Sequence, residues 1–291
     1  MYKILDADCP AQCRECVLAG AELCRAVAER SRTTIRSLQT RKIGRDRMIA
    51  EEGTPPTFFG VVRSGYLRKE KLRDDGRRTL LGLLRPGDLI IGTQDVPLEY
   101  SLETATDVEL CTFDITGLTR LAPKSRIIRL MLMQDAAQQR ESMLDLIWRR
   151  GALTSRERII DFIVTSSEFM PTEPQPDGGV IVTINLSRRD WADLSSSSVE
   201  SISRTMTWLA KRKLVTSLGA DRYHIHDMDS LRHFAGLDPV LPHSSGLRPR
   251  LSLLSAMNTA LPHAVPAARP DVDARPLSDA PLGAVVAPDV V

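Results

Sequence analysis

Closely spaced thiols are the residues of this chain best suited to chemistry. Cys9, Cys13, Cys16 and Cys24 lie within the stretch "CPAQCRECVLAGAELC", and Cys111 stands alone much farther along the chain. Cysteines at such spacing can form disulfides, hold zinc, act as a redox pair or bind an iron–sulfur cluster. Their spacing alone leaves all four chemistries open.

The placement of the histidines narrows these choices. All five lie in the last third of the chain, at His224, His226, His233, His243 and His263. A zinc site near the N-terminus would therefore need four thiolates. The Cys13–Cys16 pair is followed by valine, so it lacks the histidine of a c-type haem attachment motif. A thioredoxin-like pair would need a βαβ setting, which the sequence does not display.

Composition sets the class of protein. The 291 residues are 42% hydrophobic with a net charge of +2, which predicts a mainly globular protein of about two domains. No apolar run is long enough to span a bilayer, and the N-terminus does not resemble a secretory signal. We therefore expect a cytoplasmic protein without a membrane partner, whose reduced thiols favour metal or redox chemistry over disulfides. No catalytic motif is apparent, so an enzyme is not expected.

Hydrophobic periodicity divides the chain into segments. Short β runs separated by turns predict a sandwich or barrel, a long helical period follows, and two short helices with a hairpin behind them predict a winged helix–turn–helix. Nine of the eighteen prolines lie from Pro239 onward, which predicts a disordered tail. The predicted segments are a cysteine-rich stretch at 1–30, a β domain at 31–120, a helix at 121–151, a winged domain at 152–237 and the tail at 238–291.

In the predicted long helix, apolar residues recur about once in every helical turn. A helix of this length with an exposed apolar stripe usually packs against another helix, which favours a homodimer over a helix buried within the monomer. The predicted contact residues are Ile127, Leu130, Met131, Met143 and Ile147.

The second short helix of the winged domain presents side chains that can read DNA. Glu200, Ser203 and Arg204 are spaced to share one helix face. Arg can donate two hydrogen bonds to guanine, and Glu can accept one from cytosine. Nearby basic residues, among them Arg188 and Arg189, could contact phosphates. The segment therefore predicts binding to double-stranded DNA.

The stretch "LSRRDWADLSSSSVESISRTM" resembles the helix–turn–helix of the CRP/FNR family of bacterial regulators, and "VESISR" resembles the FNR-type recognition helix E-x-x-S-R. The stretch "VVRSGYLRKEKLRDDGRRTLLGLLRPGDLII" is similar to the family's β-roll, and the resemblance covers about residues 9–236. It implies an α+β fold: an N-terminal β-roll (a jelly roll like that of cyclic-nucleotide-binding domains), a long dimerisation helix and a C-terminal winged helix–turn–helix. It also implies contact with RNA polymerase.

The resemblance gives roles to individual residues. Glu200, Ser203 and Arg204 would read the half-sites TTGAT and ATCAA. Where FNR relatives carry Tyr-Leu-Gly-Leu across the helix–turn–helix turn, this chain has Leu194 followed by Ser195 to Ser197. Losing apolar side chains and a glycine there is expected to loosen the packing of the two helices.

For the thiols, the resemblance implies an oxygen-labile 4Fe–4S cluster whose assembly favours the dimer. Cys13, Cys16, Cys24 and Cys111 match the cluster and metal ligands, whereas Cys9 matches a cysteine that is not a ligand. Seven residues separate Cys16 from Cys24, two more than in the enteric FNR pattern. The alternative is a DNA-binding regulator of the same fold whose N-terminal cysteines bind zinc or act as redox thiols.

A cyclic nucleotide is not expected as the ligand. The CRP branch holds the phosphate with an Arg-Ser or Arg-Thr pair that follows a Gly-Glu pair. Here Gly87-Asp88 is followed by "GTQDVPLEYSLETA", which has no Arg or Lys. A buried phosphate would therefore lack a cationic partner.

Overall fold

The computed structural model describes residues 38–90 and 95–236. Cys9, Cys13, Cys16 and Cys24 and the tail predicted to be disordered lie outside the described residues. None of the helices in the described part of the chain is sufficiently long and apolar to span a bilayer.

The β-roll is a sandwich of two antiparallel sheets, which confirms the prediction from the short β runs. Its strands are β1 (Gln39–Ile43), β2 (Met48–Ala50), β3 (Phe58–Ser64), β4 (Leu67–Leu72), β5 (Arg78–Leu84), β6 (Leu89–Ile90), β7 (Ser101–Thr104) and β8 (Val108–Asp114). One sheet has the order β1-β8-β3-β6 and the other β2-β7-β4-β5. Apolar side chains from both sheets form the core between them: Val62, Leu67, Leu84, Ile90, Leu102, Val108 and Leu110.

A tight turn carries the chain from one sheet of the sandwich to the other. Gly65, between β3 and β4, has a φ of 78°, in the left-handed region that favours glycine. A Cβ at this position would lie 2.1 Å from the backbone oxygen of Asp107. Only glycine therefore fits the turn that the Ser64-Gly65 pair predicts.

The long helix begins later than its sequence pattern predicts. The short helix α1 (Ile115–Leu121) and a 3₁₀ turn (Ala122–Lys124) precede α2, which spans Arg126–Ala152. The predicted start at residue 121 is wrong, because Pro123 has no backbone N–H and breaks the helical hydrogen bonding. Ser125 instead caps α2 by accepting a hydrogen bond from the Ile128 backbone N–H.

Helix α2 lies against the β-roll along one side. Lys69 of β4 donates a hydrogen bond to the Gln139 Oε1 atom at 2.5 Å, and Arg150 donates to the Leu80 carbonyl at 2.7 Å. Ile128 is fully buried at the start of the helix. These contacts determine which side of α2 faces solvent.

The winged domain contains four helices and one sheet. Its elements are α3 (Ser155–Ser166), β9 (Thr172–Pro174), β10 (Val180–Thr183), α4 (Arg188–Leu194), α5 (Val199–Lys211), β11 (Val215–Ser217), β12 (Arg222–Ile225) and α6 (Met228–Phe234). The sheet order is β11-β12-β10-β9, and the β11–β12 hairpin around Gly219 is the wing. Ser187 caps α4 and Ser198 caps α5, as the serine positions predict.

Trp191 stands at the centre of the winged-domain core. This side chain is 1% exposed and packs against the rings of Phe162 and Tyr223 at centroid distances of 5.5 and 5.8 Å. Aromatic pairs at such distances stabilise a fold beyond their buried area. Trp191 therefore fixes α4, the first helix of the helix–turn–helix, against α3 and the wing sheet.

The serine turn between α4 and α5 is held by hydrogen bonds. The Ser195 hydroxyl donates to the Trp191 carbonyl at 2.8 Å and lies 2.8 Å from the Ser197 hydroxyl. Arg158 of α3 donates to the Ser195 and Ser196 carbonyls, both at 2.9 Å. The hydroxyls and Arg158 therefore hold the turn in the absence of apolar side chains, and the expected looser packing of the two helices stays a prediction.

Candidate nucleic-acid interface and thiol site

The predicted base-reading residues lie on the solvent face of α5. Glu200, Ser203 and Arg204 are exposed, while Ile202 and Leu209 on the opposite face are fully buried. The Glu200 carboxylate lies 4.0 Å from the Arg204 guanidinium, and their side chains are 78% and 70% exposed. An exposed pair of this kind holds the side chains only weakly, so both remain available to base edges.

The basic residues near α5, the helix that carries the predicted base-reading residues and is here called the reading helix, differ in the contacts that orient them. Arg188 lies over the rings of Trp191 and Tyr223 at 5.0 and 5.5 Å, which orients its guanidinium by cation–π contacts. Arg212 lies 3.9 Å over Trp208 in the same way. Arg189 is exposed at the start of α4. These positions suit phosphate contacts on either side of the reading face.

Helix α2 exposes an apolar stripe. Its most exposed members are Met133, Leu144, Ile147 and Trp148, at 68%, 52%, 60% and 45%. These residues fall close to one line along the helix, since residues 133 and 144 are three turns apart and 147 and 148 adjoin 144. Met133, Leu144 and Trp148 are absent from the predicted set, because periodicity alone does not show which side of α2 faces the β-roll.

The five predicted dimer-contact residues are distributed around α2. Leu130 and Ile147 lie on the stripe. Ile127 and Met143, 41% and 52% exposed, lie to either side of it. Met131 lies farther round, toward the side that carries buried Asp135. The stripe, rather than the whole predicted set, is therefore the surface best suited to a second helix.

An ion-pair network joins the β-roll to the helix–turn–helix and was not predicted. The buried Arg68 guanidinium of β4 donates to the Asp190 carboxylate of α4 at 3.0 and 3.1 Å, and Arg78 of β5 donates to the same carboxylate at 3.0 Å. Arg68 also binds Glu103 at 2.6 Å. The network comprises two arginines and five acids: Arg68, Arg78, Asp46, Glu70, Glu103, Asp190 and Asp193.

The excess of acidic over basic residues in the network affects the pKa of Glu70, which is buried within it. Burial, followed by the hydrogen bond and the charge of Glu103, raises the pKa of Glu70 to about 7. Arg78 and Arg68 lie 3.7 and 3.9 Å from its Oε2 atom, beyond hydrogen-bonding distance. Glu70 is therefore largely protonated below neutral pH, whereas a carboxyl group in water is ionised.

This raised pKa predicts a pH dependence of folding stability. A folded-state pKa above the unfolded value contributes stability that is present at low pH and lost as pH rises through the folded-state pKa. We expect the free energy of unfolding of the Glu70→Gln variant to exceed that of the parent by about 1–2 kcal/mol at about pH 8, after allowance for solvent screening. The two should match below the ordinary glutamate pKa of 4.5, where the carboxyl group is protonated in both the folded and the unfolded chain.

Urea unfolding of the parent and Glu70→Gln chains across this pH range measures the effect. Glu52→Gln is the matched control, because the Glu52 side chain is 37% exposed and pairs with a solvent-accessible lysine. Parallel stability curves for parent and Glu70→Gln chains would contradict the prediction.

Cys111 occupies a defined place in the β-roll. It lies in β8 and is 6% exposed. Its neighbour Leu110 belongs to the β-roll core, so by strand alternation the Cys111 side chain points to the opposite face of the sheet. On that face it is flanked by its strand partners, Thr40 of β1 and Val61 of β3.

The surroundings of Cys111 fit a sulfur-rich group. The Thr40 hydroxyl beside it is buried and has no hydrogen-bond partner among the described residues. A thiolate or inorganic sulfide could accept that hydrogen bond, and hydrogen bonds to sulfur are a known means of tuning iron–sulfur clusters. Strand β1 also begins soon after the cysteine-rich segment, and sixteen residues from Cys24 to Thr40 can span up to about 55 Å. Among the described residues, the Cys111 thiol and the Thr40 hydroxyl therefore fit an iron–sulfur cluster at this place.

A β-roll, a long helix with an exposed apolar stripe and a winged helix–turn–helix with an exposed reading face together define a DNA-binding transcription regulator. Two domain families match the chain: a cyclic nucleotide-binding domain over residues 40–125 and a Crp-like helix-turn-helix domain over residues 157–234. The chain belongs to the CRP/FNR family of transcription regulators.

Relatives and solved structures agree with this placement. The chain is 25% identical to a probable transcriptional activator of Rhizobium leguminosarum bv. viciae, over 76% of this chain and 92% of that protein. It is 20% identical to the transcriptional activator protein FnrL of Cereibacter sphaeroides, over 78% and 93%. The structure of FixK2 from Bradyrhizobium japonicum has the same fold, with a TM-score of 0.62, 21% identity and coverage of 68% and 96%.

Proposed function

We propose that this protein is an oxygen-responsive transcriptional activator that binds a 4Fe–4S cluster and, as a homodimer, a palindromic TTGAT…ATCAA site. Its relatives include proteins named as transcriptional activators. The cluster ligands would be Cys13, Cys16, Cys24 and Cys111, and the cluster, when bound, would supply oxygen-labile iron–sulfur chemistry. Contact with RNA polymerase follows from the role of an activator.

The observation that carries the sensing proposal is the position of Cys111. Leu110, the neighbour of Cys111 in β8, points into the core between the two sheets. Cys111 points away from that core, and its cross-strand neighbour is Thr40 in the strand that follows the cysteine-rich segment. This geometry would allow residues of the cysteine-rich segment to share one site with Cys111.

The dimer would couple this site to DNA. Pairing of two α2 helices through Met133, Leu144, Ile147 and Trp148 would bury side chains that are half-exposed in one chain. A two-fold dimer places its reading helices about one turn of DNA apart, which matches a palindromic site. Stabilising the dimer by a few kcal/mol is sufficient to shift the population between bound and unbound states.

Iron content and colour test the proposal. We expect protein purified without oxygen to be brown with about four irons per chain, and to bleach in air as its affinity for TTGAT…ATCAA DNA falls. Cys111→Ser should lose the iron and the dimer-dependent DNA binding. Cys9→Ser is the matched control, since this cysteine is not among the proposed ligands, and it should keep both.

Two results would contradict the sensing proposal. One is a colourless, iron-free parent protein that binds the palindrome equally well with and without air. The other is Cys111→Ser protein with unchanged iron content. The first result would leave a DNA-binding regulator whose N-terminal cysteines bind zinc or act as redox thiols, and a zinc assay with thiol titration would separate those two. The second result would exclude Cys111 as a ligand of the bound iron.

A further inference from the structure

Three potential metal ligands converge on the wing sheet, far along the chain from the cysteines. They are Asp177 in the turn between β9 and β10, His224 in β12 and His226 directly after the end of β12. The two histidines are two residues apart, one in the strand and one just past its end, and their imidazole rings lie side by side. Their ring centroids are 4.1 Å apart, and the ligand atoms of the three residues lie within 4.8 Å of one another.

The distances are those of ligands around an ion rather than of direct hydrogen bonds. The Asp177 Oδ2 atom lies 3.4 Å from the His224 Nε2 atom and 3.9 Å from the His226 Nδ1 atom. Hydrogen bonds between such atoms would be about 2.7–3.2 Å long. Ligands about 2.1 Å from a tetrahedral zinc ion are about 3.4 Å from one another.

One nitrogen of this cluster lacks a hydrogen-bond partner among the described residues. His224 Nε2 is buried and makes no hydrogen bond within the described part of the chain. The glycine at 179 leaves room for it, because a Cβ there would lie 2.7 Å from this nitrogen. A buried polar atom without a partner is costly, and a bound cation would satisfy it.

The remaining atoms of the cluster are oriented by a second set of contacts. The Gly179 backbone N–H donates to Asp177 Oδ1 at 3.0 Å, which leaves Oδ2 directed at the histidines. The Thr216 hydroxyl of β11 lies 2.8 Å from His226 Nε2, which leaves Nδ1 directed at Asp177. Partners of this kind, on the far side of each ligand, are typical of histidine metal sites.

We propose that Asp177, His224 and His226 form a binding site for a divalent transition metal of the zinc class. Three protein ligands leave a fourth position for water. Asp177 is about half exposed, so an ion can reach the site from solvent. A bound ion would tie the β9–β10 turn to the wing hairpin, and this role is independent of the proposed iron–sulfur function.

The test uses the full chain with Cys9, Cys13, Cys16 and Cys24 replaced by serine, so that N-terminal thiols do not compete for metal. We expect zinc at about a hundred-fold excess over its Kd to raise the Tm by about 5 °C or more relative to excess EDTA, through preferential binding to the folded state. His224→Gln and His226→Gln should abolish the shift. His233→Gln, an exposed histidine of α6, should retain it.

Two further variants keep the test informative if a histidine variant fails to fold. Asp177→Asn preserves an acceptor for the Gly179 N–H but removes the charged ligand, and Thr216→Val removes only the support of His226. We expect Asp177→Asn to lose the visible spectrum of bound Co²⁺, and Thr216→Val to weaken Co²⁺ binding about 10–100-fold. No zinc-induced Tm shift in the starting chain, or a shift that persists in Asp177→Asn, would overturn the proposal.

Discussion

Arg204→Ala should lower affinity for a TTGAT…ATCAA duplex by about 100-fold or more. A bidentate arginine–guanine contact contributes about 1–3 kcal/mol of discrimination, and a symmetric dimer loses it at both half-sites. The Arg204 side chain is 70% exposed, and its contacts with Ser201 at 3.5 Å and Glu200 at 4.0 Å are long, so its removal should leave the fold intact. Fluorescence anisotropy with the labelled duplex measures the loss.

The pattern of loss separates base reading from phosphate binding. Lys211→Ala is the matched control, because Lys211 is exposed at the end of the same helix. It should weaken binding to specific and scrambled duplexes equally and reduce the salt dependence, as expected for a phosphate contact. Arg204→Ala should weaken only the specific duplex. Equal losses on both duplexes for Arg204→Ala would contradict the assigned role of α5.

The reading helix could be predicted because its determinants are local. Ser187 and Ser198 cap α4 and α5 through backbone N–H groups only three residues away. The alternation of buried Ile202 and Leu209 with exposed Ser203 and Arg204 follows helical geometry alone. Residues that act within one element leave their pattern in one short stretch of sequence.

Long-range features could not be predicted in this way. Arg68 and Asp190 are 122 residues apart, and neither position differs from an ordinary surface charge in its local pattern. Asp177 and His224 meet only because β10 pairs with β12. The His-x-His spacing at the end of β12 was the available signal for the metal site, but the third ligand comes from the turn between β9 and β10.

For the long helix α2, the sequence predicts the helix itself but not its start or its exposed side. Its existence follows from its period, but its start depends on one proline and one capping serine, Pro123 and Ser125. Its exposed stripe depends on which side the β-roll occupies, which the contacts of Gln139 and Arg150 decide. Periodicity alone could not decide that, and so Met133 and Trp148 were missed.

Arg68→Met should destabilise the folded chain by about 3–5 kcal/mol, because it leaves buried acids without their cation. The Arg68 side chain is 5% exposed, and its guanidinium contacts Asp46, Glu103 and Asp190. Arg77→Met is the matched control: its side chain is 74% exposed and pairs with Asp75, so we expect a loss of at most about 1 kcal/mol. Urea unfolding followed by tryptophan fluorescence measures both.

The double variant Arg68→Met/Asp190→Leu tests whether the loss arises from the contact between β4 and α4. If the two charges act as a pair, the double variant should be less destabilised than the sum of the two single variants, because neither buried charge is left alone. If the losses of unfolding free energy in the two single variants are additive, Arg68 stabilises the chain through its contact with Glu103 within the β-roll, rather than through Asp190. In that case the helix–turn–helix would be held to the β-roll chiefly by apolar packing, in which Tyr66 and Ala105 join the winged-domain core.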